Sequence, residues 1–133
     1  MRVCIIAANY YPKISKSLIF GATKILKKNR INKYRIILSP GIFEIPYIIS
    51  KNINKYDAFI ALGCVIKGET PHFKFISTAC TDAIMNLSIV HKKPIGNGII
   101  TCLNKKQAQE RSGLKKNKGI EAAKAVIYVL KIS

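Results

Sequence analysis

Continuous apolar runs alternate along the chain with segments in which apolar residues recur every three or four positions. The runs that predict buried strands cover residues 2–9, 34–39, 56–66 and 93–101. The longest of them, YDAFIALGCVI, is apolar almost throughout, which is typical of a strand covered on both faces of a parallel sheet. Covering both faces requires helices on each side of the sheet, so the strands indicate an α/β fold.

Helical periodicity fills the intervals between these strands. The first predicted helix places its apolar residues on one face, at Ile14, Leu18, Ile19, Ala22, Ile25 and Leu26. The second predicted helix is short and ends near residue 51. Three further helices are expected over about 71–90, 104–113 and 118–130. Asn104, with Gln107 three positions later, is a candidate helix cap. We therefore expect a three-layer, flavodoxin-like sandwich with a four-stranded parallel sheet.

Length and composition favour one domain over residues 1–133, with enough apolar residues to form a core. No apolar run reaches the roughly 20 residues that span a bilayer, and the N-terminus does not resemble a signal peptide, so a cytoplasmic location is expected. The four cysteines, Cys4, Cys64, Cys80 and Cys102, form no close pair. They predict buried, reduced thiols rather than a metal site or a disulfide framework.

The formal net charge of +17 raises the possibility of nucleic-acid binding. However, 19 of the 23 basic residues are lysines, and they are distributed along the whole chain. Specific base and phosphate recognition favours arginine. We therefore expect no specific nucleic-acid partner, although a basic surface binds polyanions weakly.

Unusual local sequences follow each predicted strand: ANYYP, PGIFEIP, KGETPHF and TCLN. In a parallel sheet these loops meet at one edge, where ligands bind. In GETPHF, Thr70 suits a helix cap and Pro71 the first helical position, so the helix start can bind an anion. Gly68 permits close backbone approach. His72 can then exchange protons beside that anion, or it is only an exposed residue of the first turn; His91 is expected to be solvated.

In PGIFEIP, two prolines and Gly41 hold the amides of Ile42, Phe43 and Glu44 in fixed directions. Glu44 is expected either to bind ligand hydroxyl groups or to favour the helix start. Tyr10 can stack on a ligand ring or pack at the edge of the core.

Together these stretches resemble the lumazine synthase family. The matching segments are PGIFEIP, ALGCVIKGETPHF, NGIIT, QERSG and NKGIEAA, and they occur in the family's order over nearly the whole chain. The resemblance implies an enzyme that condenses 5-amino-6-(D-ribitylamino)uracil with 3,4-dihydroxy-2-butanone 4-phosphate. No metal and no cofactor are implied. A homopentamer is implied, with further assembly into a larger shell left open.

The resemblance also implies a role for individual residues. His72 would be the proton shuttle, and Tyr10 would stack on the pyrimidine. The ring and ribityl chain would contact Ile42, Phe43, Glu44, Cys64, Val65 and Ile66. Glu69 and Thr70 would bind the phosphate, joined by Arg111 from the adjacent subunit. Asn97 would face the pyrimidine across the interface, and Lys118 would lie near the pocket. Asn97 replaces a phenylalanine that some members carry, so ring stacking from the neighbour is not expected.

Three alternative functions can be distinguished from this one by sequence features or by activity. A related archaeal-type riboflavin synthase would dismutate two lumazines, but GETPHF and Arg111 favour the first reaction. A flavodoxin-like FMN carrier would need a Ser- and Thr-rich phosphate loop after the first strand, which ANYYPKIS does not provide. A polyanion-binding protein would bind nucleic acid tightly at physiological salt.

Overall fold

The computed structural model describes residues 1–68 and 73–133. Its elements, in chain order, are β1 (Val3–Ala8), α1 (Pro12–Lys28), β2 (Tyr34–Ser39), α2 (Ile45–Asn52), β3 (Ala58–Ile66), α3 (Phe73–His91), β4 (Ile95–Cys102), α4 (Lys105–Arg111) and α5 (Lys118–Ile132). In these described residues, no helix is both long and apolar enough to cross a bilayer.

The strands form one parallel sheet in the order β2-β1-β3-β4. All nine residues of β3 are buried, as its apolar sequence predicts for a central strand. The register pairs Ala7 of β1 with Leu38 of β2 and with Leu62 of β3. The carboxyl ends of these strands therefore meet at one edge, and the predicted parallel α/β sheet is confirmed.

Side chains alternate between the two faces of the sheet and form two cores. On one face Ile5 and Ile60 pack with α1 and α5, and on the other Ile6 and Phe59 pack with α2 and α3. Burying both faces of a sheet between helix layers is what defines a three-layer sandwich. The flavodoxin-like architecture expected from the sequence is therefore present.

The element boundaries follow local chemistry closely. β2 has the predicted bounds, whereas β3 begins at Ala58 instead of residue 56. The residue before it, Asp57, accepts a hydrogen bond from the Arg2 amide at 2.7 Å. Asn104 caps α4 as predicted, accepting from the Gln107 amide at 2.9 Å. The Gln107 side chain in turn accepts from the Leu103 amide at 2.8 Å, which completes a capping box displaced by one residue.

Glycines in β4 allow α5 to pack directly on the sheet. A Cβ at Gly96 would lie 2.6 Å from the Ala122 carbonyl oxygen and 2.8 Å from Cγ2 of Val126. Both neighbours belong to the buried face of α5. Any side chain at position 96 would therefore separate strand and helix.

We expect Gly96→Ala to lower the free energy of unfolding by about 1–3 kcal/mol, because backbone atoms of α5 must move to admit the methyl group. Urea denaturation at a fixed protomer concentration measures this change. Gly41→Ala is the matched control, since its new Cβ would meet only the end of the Glu44 side chain, at 3.2 Å. Equal effects of the two substitutions would contradict the packing argument.

Candidate active site

A cavity of about 220 Å³ opens at the carboxyl ends of β1, β2 and β3. Its wall combines the segment after β1, the loop after β2, the end of β3 and the first turns of α3. The lining residues are Tyr10, Tyr11, Gly41, Ile42, Phe43, Cys64, Val65, Ile66 and Ile76. Six of these residues were expected in the site from the sequence, and the structure brings them together.

Two aromatic rings stand exposed at the mouth of this cavity. Tyr10 is 68% exposed and Phe43 is 64% exposed, although both side chains are large and apolar. The Tyr10 ring meets the Tyr11 ring edge-on, with 4.9 Å between centroids. The Tyr11 ring therefore packs against Tyr10 on one side, while much of the Tyr10 ring can contact a flat ligand.

The loop after β2 is held from beneath. Ser39, which is buried, donates its hydroxyl to the Gly41 carbonyl at 2.6 Å. The Ile42 carbonyl accepts from the Ile45 amide at 3.1 Å and from the Cys80 thiol at 3.4 Å. Glu44 does not line the cavity, because its carboxylate turns back over Gly41.

Arg111 and Lys118 lie outside this cavity and line a second one, of about 260 Å³, beside β4. Arg111, in the last turn of α4 as predicted, donates from Nη1 to the Thr101 carbonyl at 3.0 Å. Lys118 is the first residue of α5 and follows the capping residue Asn117. Lys116 also lines this cavity, with Glu121 as the acidic residue.

Asn97 lies near the middle of β4, paired in register with Ala61, and is exposed. Its side-chain oxygen accepts from the Ile99 amide at 3.1 Å. β4 is an edge strand, and no strand among residues 1–68 and 73–133 pairs with its outer side. Asn97, Arg111 and Lys118 thus lie toward this edge, apart from the first cavity's lining.

Three of the expected site residues, Glu69, Thr70 and His72, lie outside the described residues. Gly68 is the last described residue before them, and its backbone φ of +86° lies in the left-handed region that favours glycine. Lys67 donates its amide to the Cys102 carbonyl at 2.8 Å, which extends the pairing of β3 with β4 up to this turn.

All four cysteines are free and buried, as expected from the sequence. Burial is the main cause that raises the pKa of Cys64 from 9.0 to about 12. The neighbouring Cys102 thiol raises it further, while the Arg111 guanidinium opposes the shift. Burial likewise raises the pKa of Cys4 and of Cys80 to about 11. Cys4, Cys64 and Cys80 are therefore neutral thiols at neutral pH and poor nucleophiles.

Several lining residues could not be identified from the sequence. Tyr11 is the second of two adjacent tyrosines with no specific signal, and Ile76 is one of many apolar helix residues. Lys116 lies in a lysine-rich stretch that carries no specific signal, and Glu121 occupies an ordinary first-turn position. Within residues 1–68 and 73–133, no three His, Cys, Asp or Glu side chains group as metal ligands would.

Comparison with known proteins identifies relatives over the whole chain. A family model described as 6,7-dimethyl-8-ribityllumazine synthase matches residues 1–133. A protein of that name from Bartonella tribocorum is 42% identical over 96% of this chain and 87% of its own length. Those from Renibacterium salmoninarum and Cutibacterium acnes are each 36% identical, covering 96% and 98% of this chain and 86% and 80% of their own lengths.

The raised pKa of Cys64 predicts slow alkylation, although the residue lines the open cavity. With the pKa at about 12 instead of 9.0, the thiolate fraction at pH 8 is about a thousandfold lower than in a free thiol. We therefore expect iodoacetamide to leave Cys64 unmodified in the native protein and to label all four cysteines in urea, as measured by peptide mass spectrometry.

Because the folded pKa is raised, Cys64 stabilises the fold below pH 9 and loses that contribution between about pH 9 and 12. Native labelling at the free-thiol rate would contradict both expectations.

Proposed function

Because this chain belongs to the 6,7-dimethyl-8-ribityllumazine synthase family, we propose that it performs that reaction at a site completed between two subunits. The chain is a transferase of riboflavin biosynthesis. It condenses 5-amino-6-(D-ribitylamino)uracil with 3,4-dihydroxy-2-butanone 4-phosphate, and it releases phosphate and water.

The reaction begins when the 5-amino group of the pyrimidine attacks the ketone and loses water to give an imine. Elimination of phosphate leaves an enol, which tautomerises to a ketone. The ribityl-substituted amine then attacks this carbonyl, and loss of a second water closes the ring. Holding two substrates in one orientation provides most of the acceleration in such a condensation.

The first cavity suits the pyrimidine. Its apolar floor of Ile42, Val65 and Ile66 can cover a planar ring, and the exposed Tyr10 ring can stack on it. The backbone of residues 41–44 offers polar groups along one side for the ring and the ribityl hydroxyls. The Glu44 carboxylate lies over Gly41 and does not line the cavity. We therefore assign the ribityl contacts of Glu44 to its backbone before its carboxylate.

The phosphate belongs at the loop after β3. Gly68 turns the chain there with a positive φ, and Glu69 and Thr70 supply amides for the anion in this proposal. His72 follows, and we assign it the proton transfers that accompany imine formation and phosphate loss.

The observation that carries the shared site is the separation of the cationic residues from the pyrimidine cavity. Arg111 and Lys118 line a cavity beside the edge strand β4, and Asn97 is exposed on that strand. A neighbouring subunit that docks its first cavity against this edge would receive Arg111 for the phosphate and Asn97 for the ring. A guanidinium on the phosphate adds charge-assisted hydrogen bonds.

The surface of α3 supports assembly into a ring. In this 19-residue helix only Cys80 and Ile84 are buried, while Phe75, Met85 and Ile89 are each more than half exposed. Exposed apolar side chains at helical spacing mark an interaction surface. We propose a homopentamer in the cytoplasm; the four reduced thiols fit that compartment.

We expect the protein to form lumazine from the two substrates faster than the spontaneous reaction does. Lumazine absorbance measures both rates.

His72→Ala should lower kcat about a hundredfold with little change in either KM, because proximity remains while proton transfer is lost. His91→Ala is the matched control, since the chain's other histidine is exposed at the end of α3. Lumazine supplied alone should give no riboflavin. Equal kcat values for the two variants would remove His72 from the mechanism.

Mixing two defective variants tests whether the site is shared. Arg111→Ala and His72→Ala chains, unfolded together at equal amounts and refolded, should form rings in which roughly a quarter of the interfaces carry both intact residues. Activity should therefore rise well above the mean of the two variants alone. Subunit exchange is verified by native mass spectrometry with one variant isotopically labelled. Mixed rings no more active than that mean would show that Arg111 acts within its own chain.

A further inference from the structure

Arg111 and Lys118 flank a short connection that one buried amide side chain holds to the rest of the molecule. Residues 112–117 connect α4 to α5, and Leu114 within them is 98% exposed. Ser112 and Asn117, at the two ends of the segment, are by contrast 6% and 8% exposed, and their backbones pair in an isolated antiparallel bridge. The connection is thus closed at its base and solvated at its tip.

The Asn117 side chain makes hydrogen bonds to three parts of the chain. Nδ2 donates to the Ser17 carbonyl of α1 and to the Ser112 carbonyl, each at 3.1 Å, and approaches the Gly113 carbonyl at 3.4 Å. Oδ1 accepts from the Ile120 amide at 3.1 Å and so caps α5. The orientation of the amide follows from its partners, because carbonyl oxygens surround the nitrogen and an N–H faces the oxygen.

Two glycines make room for this side chain. A Cβ at Gly21 of α1 would lie 2.4 Å from Oδ1 of Asn117. A Cβ at Gly119 of α5 would lie 2.2 Å from the Leu18 carbonyl oxygen and 3.0 Å from the same Oδ1. The amide is therefore enclosed by backbone on both sides, and it has little freedom to move.

Arg111 immediately precedes Ser112, whose carbonyl accepts a hydrogen bond from Asn117. Its guanidinium is fixed at one point by the Thr101 carbonyl of β4, and its backbone continues into Ser112, whose carbonyl accepts from Asn117. We infer that Asn117 is a positioning residue for Arg111: it anchors the end of α4 to α1 and so sets where the guanidinium meets the phosphate. This inference rests on the phosphate role proposed above for Arg111.

Capping and anchoring can be separated by substitution. Asn117→Asp keeps an oxygen for the Ile120 amide but replaces the Nδ2 donors with an acceptor that faces carbonyl oxygens. Asn117→Ala removes both functions without adding charge. Asn52→Asp is the matched control, because Asn52 donates to the Ile48 carbonyl at 2.7 Å at the end of α2, on the opposite edge of the sheet from the cavity.

We expect both Asn117 variants to raise KM for the butanone phosphate about five- to tenfold, the loss typical of one neutral hydrogen bond. KM for the pyrimidine and kcat should stay within about twofold of the unsubstituted protein, and Asn52→Asp should change neither KM. In an Arg111→Ala background, Asn117→Asp should raise the phosphate KM little further, because the residue it positions is already absent. Thermal unfolding of each variant, at one protomer concentration, shows that the folded protein is being compared.

Other outcomes overturn the inference in distinguishable ways. A lower kcat with both KM values unchanged would mean that Asn117 only maintains the amount of folded enzyme. The same rise in KM with and without Arg111 would mean that Asn117 acts by another route. If Arg111→Ala itself leaves the phosphate KM unchanged, the phosphate role of Arg111 is wrong, and the positioning role is wrong with it.

Discussion

The burial of β3 on both faces is the constraint from which the rest of the structure follows. All nine of its residues are buried, so the strand must lie inside the sheet with helices above and below it. The helices that cover the two faces connect parallel strands, and parallel strands have their carboxyl ends at the same edge. The loops after β1, β2 and β3 therefore converge at that edge. The apolar core places the site.

The same topology places the residues of the proposed shared site on two separate surfaces of one chain. β4 is an edge strand, and α4 and α5 fold back beside it, so Arg111 and Lys118 line a cavity on that side. The exposed Tyr10 and Phe43 lie at the cavity formed by β1–β3. The cationic groups lie on one surface and the aromatic groups on another. In the proposed assembly, a second copy beside the first brings the cationic surface of one subunit to the aromatic surface of the other. The outer side of β4, which pairs with no strand in the described part of the chain, is consistent with such an arrangement.

Much of the fold could be predicted from the sequence, because its signals are local. The apolar run of β3, the helical periodicity of α1 and the Asn104–Gln107 capping box each depend on residues within a few positions. Six cavity residues were also predicted: Tyr10, Ile42 and Phe43 from the loops that follow strands, and Cys64, Val65 and Ile66 from the resemblance to the lumazine synthase family. The direction of the Glu44 carboxylate was not predicted, because it depends on space over Gly41. The part played by Asn117 was not predicted either, because its amide bonds to Ser17, 100 positions away in the chain. Contacts of this kind leave no periodic signal.

The buried polar side chains in the described part of the chain have a common placement. They are Ser15, Ser39, Ser112 and Asn117. Ser15 donates to the Ala8 carbonyl, just before Tyr10, and Ser39 donates to the Gly41 carbonyl, just before Ile42. Ser112 donates to the Ala108 carbonyl at 2.8 Å, and Asn117 joins that turn to α1. A buried polar group destabilises a core unless it is hydrogen-bonded, and each of these groups is bonded to backbone where the chain leaves a regular element. The interior therefore uses apolar packing to form the layers, and it uses its few polar groups to fix the segments that carry the site.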